Sequence, residues 1–251
     1  MVQLSVVIIT YNEEKNIGRC LDSVKEVADE IIVVDSFSED RTEEICKNHG
    51  VRFIQQKWEG YSKTKNDANQ LAQYYYIFSI DADEALSDEL KENISSLKEQ
   101  GFRGVYEFNR ITNYCGKWIR HGGWYPDKKI RLFDKNNTRW EGAYIHEVLV
   151  FDKDTDVTFV KGDILHYSYY TIGEHINQLN KFTDIGATEA FSNSKRSGLI
   201  KILFSPILKF IKDFVFRLGF LDGYHGFLIA YISSFATFLK YVKLKQLWDN
   251  S

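Results

Sequence analysis

Three short apolar runs that stop at acidic or polar positions restrict this chain more than any other feature. Leu4–Thr10 (LSVVIIT), Glu30–Asp35 (EIIVVD) and Tyr75–Ile80 (YYIFSI), the last running into Asp81, are short and carry a concentration of β-branched and aromatic residues. Strands buried on both faces of a parallel sheet have this character. Between them, Ile17, Cys20, Leu21 and Val24 return at helical spacing behind Asn12, which can cap that helix. A polar loop over Ser36–Asp40, a helix from about Arg41 to His49, a third short strand over Val51–Ile54 and a helix over Ser62–Gln73 complete a β-α-β-α-β pattern. Right-handed crossovers follow, and ligands of such sheets bind beyond the carboxyl ends of the strands. Asp35 and Asp81 are therefore expected to face one crevice.

After a helix over 87–99 the period changes. Val105–Thr112, Lys129–Phe133, Val148–Phe151, Val157–Val160 and Asp163–Tyr167 read as short strands, so the sheet is expected to be mixed. From about Thr171 the chain reads as helical, with breaks at Gly198 and around Gly219–Gly226.

Composition narrows the function classes. With 44% hydrophobic and 27% charged residues in 251, the chain can bury a substantial core and is not of disordered type. Three cysteines without CxxC spacing suggest neither a disulfide framework nor a thiolate zinc site, and a reducing cytoplasm fits them. The N-terminal residues lack the basic region and cleavage site of a signal peptide. The net charge of −3 conceals an asymmetry: residues 195–247 hold nine Lys or Arg against Asp213 and Asp222, a balance of +7 that leaves −10 elsewhere.

Leu, Ile and Phe crowd between those lysines, which argues against nucleic acid and for a surface offering anionic headgroups and apolar depth together. Gly226–Leu239 is uncharged but shorter than the roughly 20 residues a membrane span needs. An interfacial helix pair is the expectation. The other reading is a pair that packs on the rest of the chain or dimerises.

The densest chemistry is Asp81-Ala82-Asp83-Glu84, directly after a buried strand. Two carboxylates one residue apart can share a hard divalent cation and leave positions open for a diphosphate. The competing reading is a solvated turn with helix-capping acids. Around this motif the sequence resembles the family 2 glycosyltransferases, whose nucleotide-binding domain has the fold called GT-A. The matching stretches are Val7-Ile8-Ile9-Thr10-Tyr11-Asn12-Glu13, Ile32-Val33-Val34-Asp35-Ser36, Lys63-Thr64-Lys65-Asn66-Asp67-Ala68 and Phe78-Ser79-Ile80-Asp81-Ala82-Asp83, in the family's order and spacing.

The resemblance implies that Thr10, Tyr11 and Glu13 line the nucleotide and that Asp35 contacts the uracil or ribose. Lys65 stands where the family commonly has Arg beside the base and ribose, keeping the charge without the fork geometry. Asp81 is implied to meet the ribose or a metal-bound water, and Asp83 to ligate Mn²⁺ or Mg²⁺. Gly123-Trp124-Tyr125-Pro126-Asp127, Arg131-Leu132-Phe133, His146-Glu147 and Gly162-Asp163-Ile164-Leu165-His166-Tyr167 extend the likeness. They resemble the subgroup that adds glucose to the inner core of lipopolysaccharide or lipooligosaccharide.

An inverting transfer needs a general base for the acceptor hydroxyl and a cationic group for the departing diphosphate. Glu147, at the start of an expected strand, is the first candidate base and Asp127 the second; each also reads as a loop carboxylate or ion-pair partner. Arg131 can clamp phosphate bidentately, or pair at a strand edge with Asp127 or Asp134. His166 can be a third metal ligand or a hydrogen-bonded core histidine. Trp124 and Tyr125, with Trp118 and Trp140, can stack on an acceptor sugar or fill the core.

The expectation is an α/β GT-A (Rossmann-like) domain over 1–170, with a nucleotide-binding half (1–100) and an acceptor half (101–170). A membrane-associating helical extension follows over 171–251. The resemblance implies inverting transfer of glucose from UDP-glucose to a lipid-linked glycan, such as lipopolysaccharide inner core, at the inner face of the cytoplasmic membrane. Rivals are transfer to polyprenyl phosphate or to a surface or capsular polysaccharide, and a catalytically silent protein that binds nucleotide and membrane. The sequence does not fix the oligomeric state.

Overall fold

The computed structural model describes residues 2–142 and 147–251. The chain forms two compact units, Met1–Arg110 with Asp127–Tyr167, and Ile111–Pro126 with Ser168–Ser251.

In the first unit, β1 (Leu4–Thr10), β2 (Glu30–Asp35), β3 (Arg52–Gln55) and β4 (Tyr76–Asp81) are mutually parallel in the order β3-β2-β1-β4. β8 (Asp127–Asp134), β6 (Val105–Tyr114), β11 (Val157–Tyr169) and β5 (Glu84–Leu86) continue the sheet, with β8 antiparallel to both β4 and β6 and β11 antiparallel to β5. The sheet is mixed, as expected. Its parallel register sets Thr10 opposite Asp35 and Ile9 opposite Asp81, so the polar ends of three strands line up.

Helices α1 (Ile17–Val24), α2 (Thr42–Asn48), α3 (Tyr61–Gln70) and α4 (Asp88–Gln100) supply the connections. Leu4, Val6, Ile8, Ile17, Leu21, Phe78, Leu90 and Phe108 make one core cluster with no more than 1% exposure each. Burying each such side chain contributes about 1.5–3 kcal/mol. Val7, Ile32, Val34, Ala68, Ile77 and Phe133 form the core of the opposite layer. Period-two alternation along β1 divides Val6 and Ile8 from Val7 in this way.

Several local expectations shift. Asn12 is not the cap of α1: its φ is 54°, its side chain accepts from the Glu39 N–H, and Asn16 occupies the N-cap position. The third strand lies one residue later than expected, paired with β2 from Ile32↔Arg52 to Asp35↔Gln55. The two strands expected over 157–160 and 163–167 are one, because Gly162 carries the chain through φ +95° where a Cβ would stand 2.6 Å from the Leu90 nitrogen. β7 (Lys117–Ile119) and β9 (Thr138–Glu141) are additional strands whose sequences, KWI and TRWE, carry no extended apolar run; β7 pairs with β6 and β9 with β10 (Val148–Phe151).

The second unit holds α5 (Ile172–Ser192), opened by a Thr171/Glu174 capping box, then α6 (Leu199–Ile211) and α7 (Gly223–Asp249). Gly198 is the N-cap of α6, and the break after it comprises a π turn over Lys212–Phe216 and a 3₁₀ turn over Gly219–Asp222. Gly226 is required by packing, since a Cβ there would fall 1.9 Å from the Gly219 carbonyl oxygen. Asp222 Oδ2 accepts from the Arg120 and His121 N–H groups, and Trp248 Nε1 donates to the Lys195 carbonyl. Gly219–Asp249 is long and apolar enough to cross a membrane by length and composition, longer than the uncharged stretch alone indicates.

Candidate active site

The aligned strand ends of the first unit open into a crevice of about 770 Å³ lined by Thr10, Tyr11, Glu13, Ser36, Trp58, Tyr61, Asp81, Asp83 and His166. Thr10 brings a buried hydroxyl with no partner among the described residues. Glu13 follows the β1 end, accepts from Asn16 Nδ2 at 2.8 Å, and has its carboxyl pushed up to about 7. Burial is the main cause, opposed by Asn16 and reinforced by the charges of Asp83 and Asp40.

Asp81 and Asp83 have different surroundings. Lys65 Nζ lies 3.1 Å from Asp81 Oδ1, and Arg131 Nη2 lies 2.6 Å from Asp81 Oδ2. Burial pushes the Asp81 carboxyl up, but Arg131 and then Lys65 outweigh it and hold the group well below the ordinary carboxylate range. Asp83 instead faces His166, whose Nε2 is 3.1 Å from Oδ2. β11 enforces that pairing: Tyr167 N–H donates to the Asp83 carbonyl and His166 lies in register with Glu84.

Behind the motif, Glu84 is buried between two arginines. Arg131 Nη2 donates to both of its oxygens at 2.8 and 3.0 Å, Arg110 Nη1 donates to Oε1 at 3.0 Å, and the Asp81 N–H donates to Oε2. Arg110 also grips Asp127 Oδ2 through Nε and Nη2, while Lys129 lies 3.0 Å from Oδ1. Glu147 receives Lys65 Nζ at 3.3 Å. An alternating chain of charges thus runs from Glu147 through Lys65, Asp81, Arg131, Glu84 and Arg110 to Asp127.

Several expected placements change. Asp35 does not line the crevice: it is fully buried, with both oxygens turned to Ser38, and Ser36 takes the lining position. Arg131 is 3% exposed, and the carboxylates it pairs with are Asp81 and Glu84 rather than Asp127 or Asp134. Lys65 is likewise buried, 4.8 Å above the Trp140 ring. Trp140 packs edge-on against Phe133 in the core. In the second unit, Trp124 joins an aromatic cluster with Tyr114, Tyr169 and His175, and Tyr125 lies under the Arg120 guanidinium. His146 lies outside the described residues.

Trp58 and Tyr61, unremarked in the sequence, stand edge to face at 4.7 Å on one crevice wall and are 42% and 40% exposed. Their signal was two aromatics around a glycine at the start of α3, one turn ahead of Lys65. Glu84 and Arg110 were missed as a pair because only the folded sheet brings them together.

No cluster of three or more His, Cys, Asp or Glu suited to a metal occurs among the described residues. Asp83 and His166 provide two donors, an oxygen and an imidazole nitrogen, at the edge of an open crevice. Such a pair fits a cation whose remaining ligands arrive with a diphosphate, rather than a self-sufficient metal site.

A polar crevice at the carboxyl ends of parallel strands is where open α/β folds bind their ligands, and this α/β chain with its mixed sheet has the GT-A nucleotide-diphospho-sugar transferase fold of the family its sequence matches. The chain belongs to glycosyl transferase family 2, whose signature it matches over residues 5–156. An uncharacterized glycosyltransferase of Rickettsia typhi is 32% identical over 98% of this chain and 88% of its own length. A lipopolysaccharide core biosynthesis glycosyltransferase of Rhizobium meliloti is 28% identical over 97% of this chain and 92% of its own. The crystal structure of S. aureus TarS 1–349 in complex with UDP-GlcNAc aligns at a TM-score of 0.49 and 15% identity, covering 99% of this chain and 92% of that one.

Proposed function

We propose that the protein is an inverting hexosyltransferase that moves glucose from UDP-glucose to a lipid-linked glycan of the lipopolysaccharide inner-core type. The observation that carries this reading is the convergence of Thr10, Tyr11, Glu13, Asp81 and Asp83 on one crevice. The full-length similarity to a lipopolysaccharide core biosynthesis glycosyltransferase supports the acceptor class.

Asp83 and His166 hold Mn²⁺ or Mg²⁺ in this reading, and the cation supplies positive charge for the departing diphosphate. Thr10, Tyr11 and Glu13 line the nucleotide. Asp81, kept ionised by Arg131 and Lys65, fixes the strand end that carries Asp83. Glu147 is the base: among the described residues its carboxylate is met by Lys65 at 3.3 Å, whereas both Asp127 oxygens are held by cations. Burial raises the Asp127 carboxyl, but Arg110 and Lys129 bring it below its ordinary value, which weakens it as a proton acceptor. The acceptor oxygen attacks the anomeric carbon, its proton passes to Glu147, and the anomeric C–O bond breaks with the electron pair leaving on UDP.

The C-terminal helices hold the enzyme on the cytoplasmic face of the membrane in this proposal. Leu199, Ile200, Leu203, Phe204, Leu208 and Phe216 are each more than half exposed, interspersed with Lys201, Lys209 and Lys212. Both ends of α7 are tied to polar parts of the same unit, which favours a helix lying in the interface over one that crosses.

Incubation with Mn²⁺ and a panel of nucleotide sugars, reading released UDP or GDP, tests the proposal. Release of UDP from UDP-glucose is expected, and turnover of GDP-sugars alone would overturn the donor assignment.

A further inference from the structure

A second cavity of about 440 Å³ lies beside the donor crevice in the same unit, and Asp81 lines both. Its other walls are Glu107, Arg110, Lys128, Lys129, Ile130, Arg131, Trp140, Glu147, Val148 and Leu149. Charged groups dominate that lining, and Trp140 is the single aromatic ring in it among the described residues. A cavity of this size and polarity suits a small hydrophilic ligand better than a hydrocarbon chain.

Two of its lining side chains carry buried N–H groups that nothing among the described residues accepts. Trp140 Nε1 and Arg131 Nε are both without a hydrogen-bond partner, on residues 7% and 3% exposed. A buried donor left unpaired costs about 1–3 kcal/mol, so two on the walls of one cavity are unlike the rest of this well-satisfied network. Ligand oxygens would relieve both. The cavity is also where Glu147 is found, while Asp127, the other base candidate, is absent from its lining.

We infer that this cavity is the acceptor subsite and that it takes a polyhydroxylated sugar ring, whose oxygens accept from Trp140 Nε1 and Arg131 Nε while the attacked hydroxyl lies at Glu147. The inference rests on the proposed glycosyl transfer and names its acceptor pocket. It places recognition of the acceptor on the sugar rather than on a lipid phosphate, because Glu107, Glu147 and Asp81 stand among the four cations of the lining, would repel a phosphate, and accept from sugar hydroxyls while the cations donate to them. Asp81 then separates the two substrates, with donor on one side and acceptor on the other.

The test uses full-length protein with Mn²⁺, UDP-glucose and two probes: lipopolysaccharide core oligosaccharide freed of its lipid, and a polyprenyl phosphate. Trp140→Phe removes the indole N–H while keeping a ring against Phe133, and is expected to raise the KM for the oligosaccharide about tenfold while UDP affinity by calorimetry follows wild type. Val148→Trp, at a 58% exposed position on the cavity wall, narrows the cavity without disturbing the core and is expected to cut transfer at least tenfold. Wild-type oligosaccharide kinetics in both variants would overturn the subsite and leave the donor reading standing. So would transfer to polyprenyl phosphate in place of the oligosaccharide, or to neither probe by an enzyme that still releases UDP. Failure of the wild type to bind UDP at all would instead remove the donor reading, and the subsite with it.

Discussion

Arg131 Nη2 reaches both oxygens of Glu84, at 2.8 and 3.0 Å, and the same nitrogen stands 2.6 Å from Asp81. A fully buried glutamate therefore anchors the arginine that holds the first aspartate of the motif. Removing one partner from a buried ion pair leaves an uncompensated charge and costs about 3–5 kcal/mol. Glu84→Gln is expected to lower stability by roughly that amount, read as a fall in the urea midpoint. An unchanged midpoint would show that Arg110 and Arg131 find enough partners in Asp81 and Asp127.

The Asp83 carboxylate meets His166 Nε2 at 3.1 Å, outside the network of arginines. Asp83→Asn keeps the shape and removes the charge a hard cation requires. Mn²⁺-dependent UDP binding is expected to fall by at least tenfold in calorimetry, with the melting temperature close to wild type because the side chain is partly exposed. Intact metal-dependent binding would move the cation elsewhere.

Glu147→Gln preserves the contact to Lys65 through the amide oxygen but cannot take a proton. Turnover should drop by about 10²–10⁴, the usual contribution of general-base catalysis, while donor affinity is spared. A turnover loss on Asp127→Asn with none on Glu147→Gln would reverse the assignment.

The sequence exposed the three strand ends and their carboxylates because parallel buried strands leave an apolar, β-branched run that stops where the crevice begins. It hid the charge network. Arg131 was given Asp127 or Asp134 as partners, yet four residues along an extended strand separate Arg131 from Asp127 by about 13 Å, and Asp134 points to the other face. Asp127 pairs instead with Arg110, its register partner on β6, an adjacency that exists only once β6 and β8 are side by side. Asp35 was legible as a strand end, but its rotation toward Ser38 depends on the loop that follows. The tail was readable from composition, including the helix that runs on past Gly226, whereas the docking of α7 on α5 through Lys243, which meets Asn180 and Asp184, exists only in the folded chain.

Membrane association can be tested on exposed positions. Ile200, Leu208 and Phe216 are 78%, 66% and 77% exposed, so replacing them with glutamate should spare the fold. Each inserted apolar side chain contributes about 1.5–3 kcal/mol. The double variant Ile200→Glu/Leu208→Glu is expected to lose at least tenfold in co-sedimentation with anionic vesicles. Undiminished binding would mean that these helices face protein instead.

Glu13 gives a pH dependence of stability with a definite sign. Its carboxyl is pushed up to about 7 in the folded chain, chiefly by burial, against an ordinary value of 4.5 when unfolded. Between those values the folded state holds a proton that the unfolded state has released, so the unfolded state binds fewer protons and stability falls as pH rises. The contribution is fully present below about 4.5 and lost once pH passes about 7. Glu13→Gln cannot titrate, so melting temperatures measured from pH 5 to 8 should decline less steeply in the variant than in wild type. A cation bound at Asp83 would oppose the same shift by favouring the charged form, and adding Mn²⁺ with UDP should therefore flatten the wild-type slope toward that of the variant. Parallel slopes in wild type and variant would show that Glu13 is ionised in the folded protein across this range.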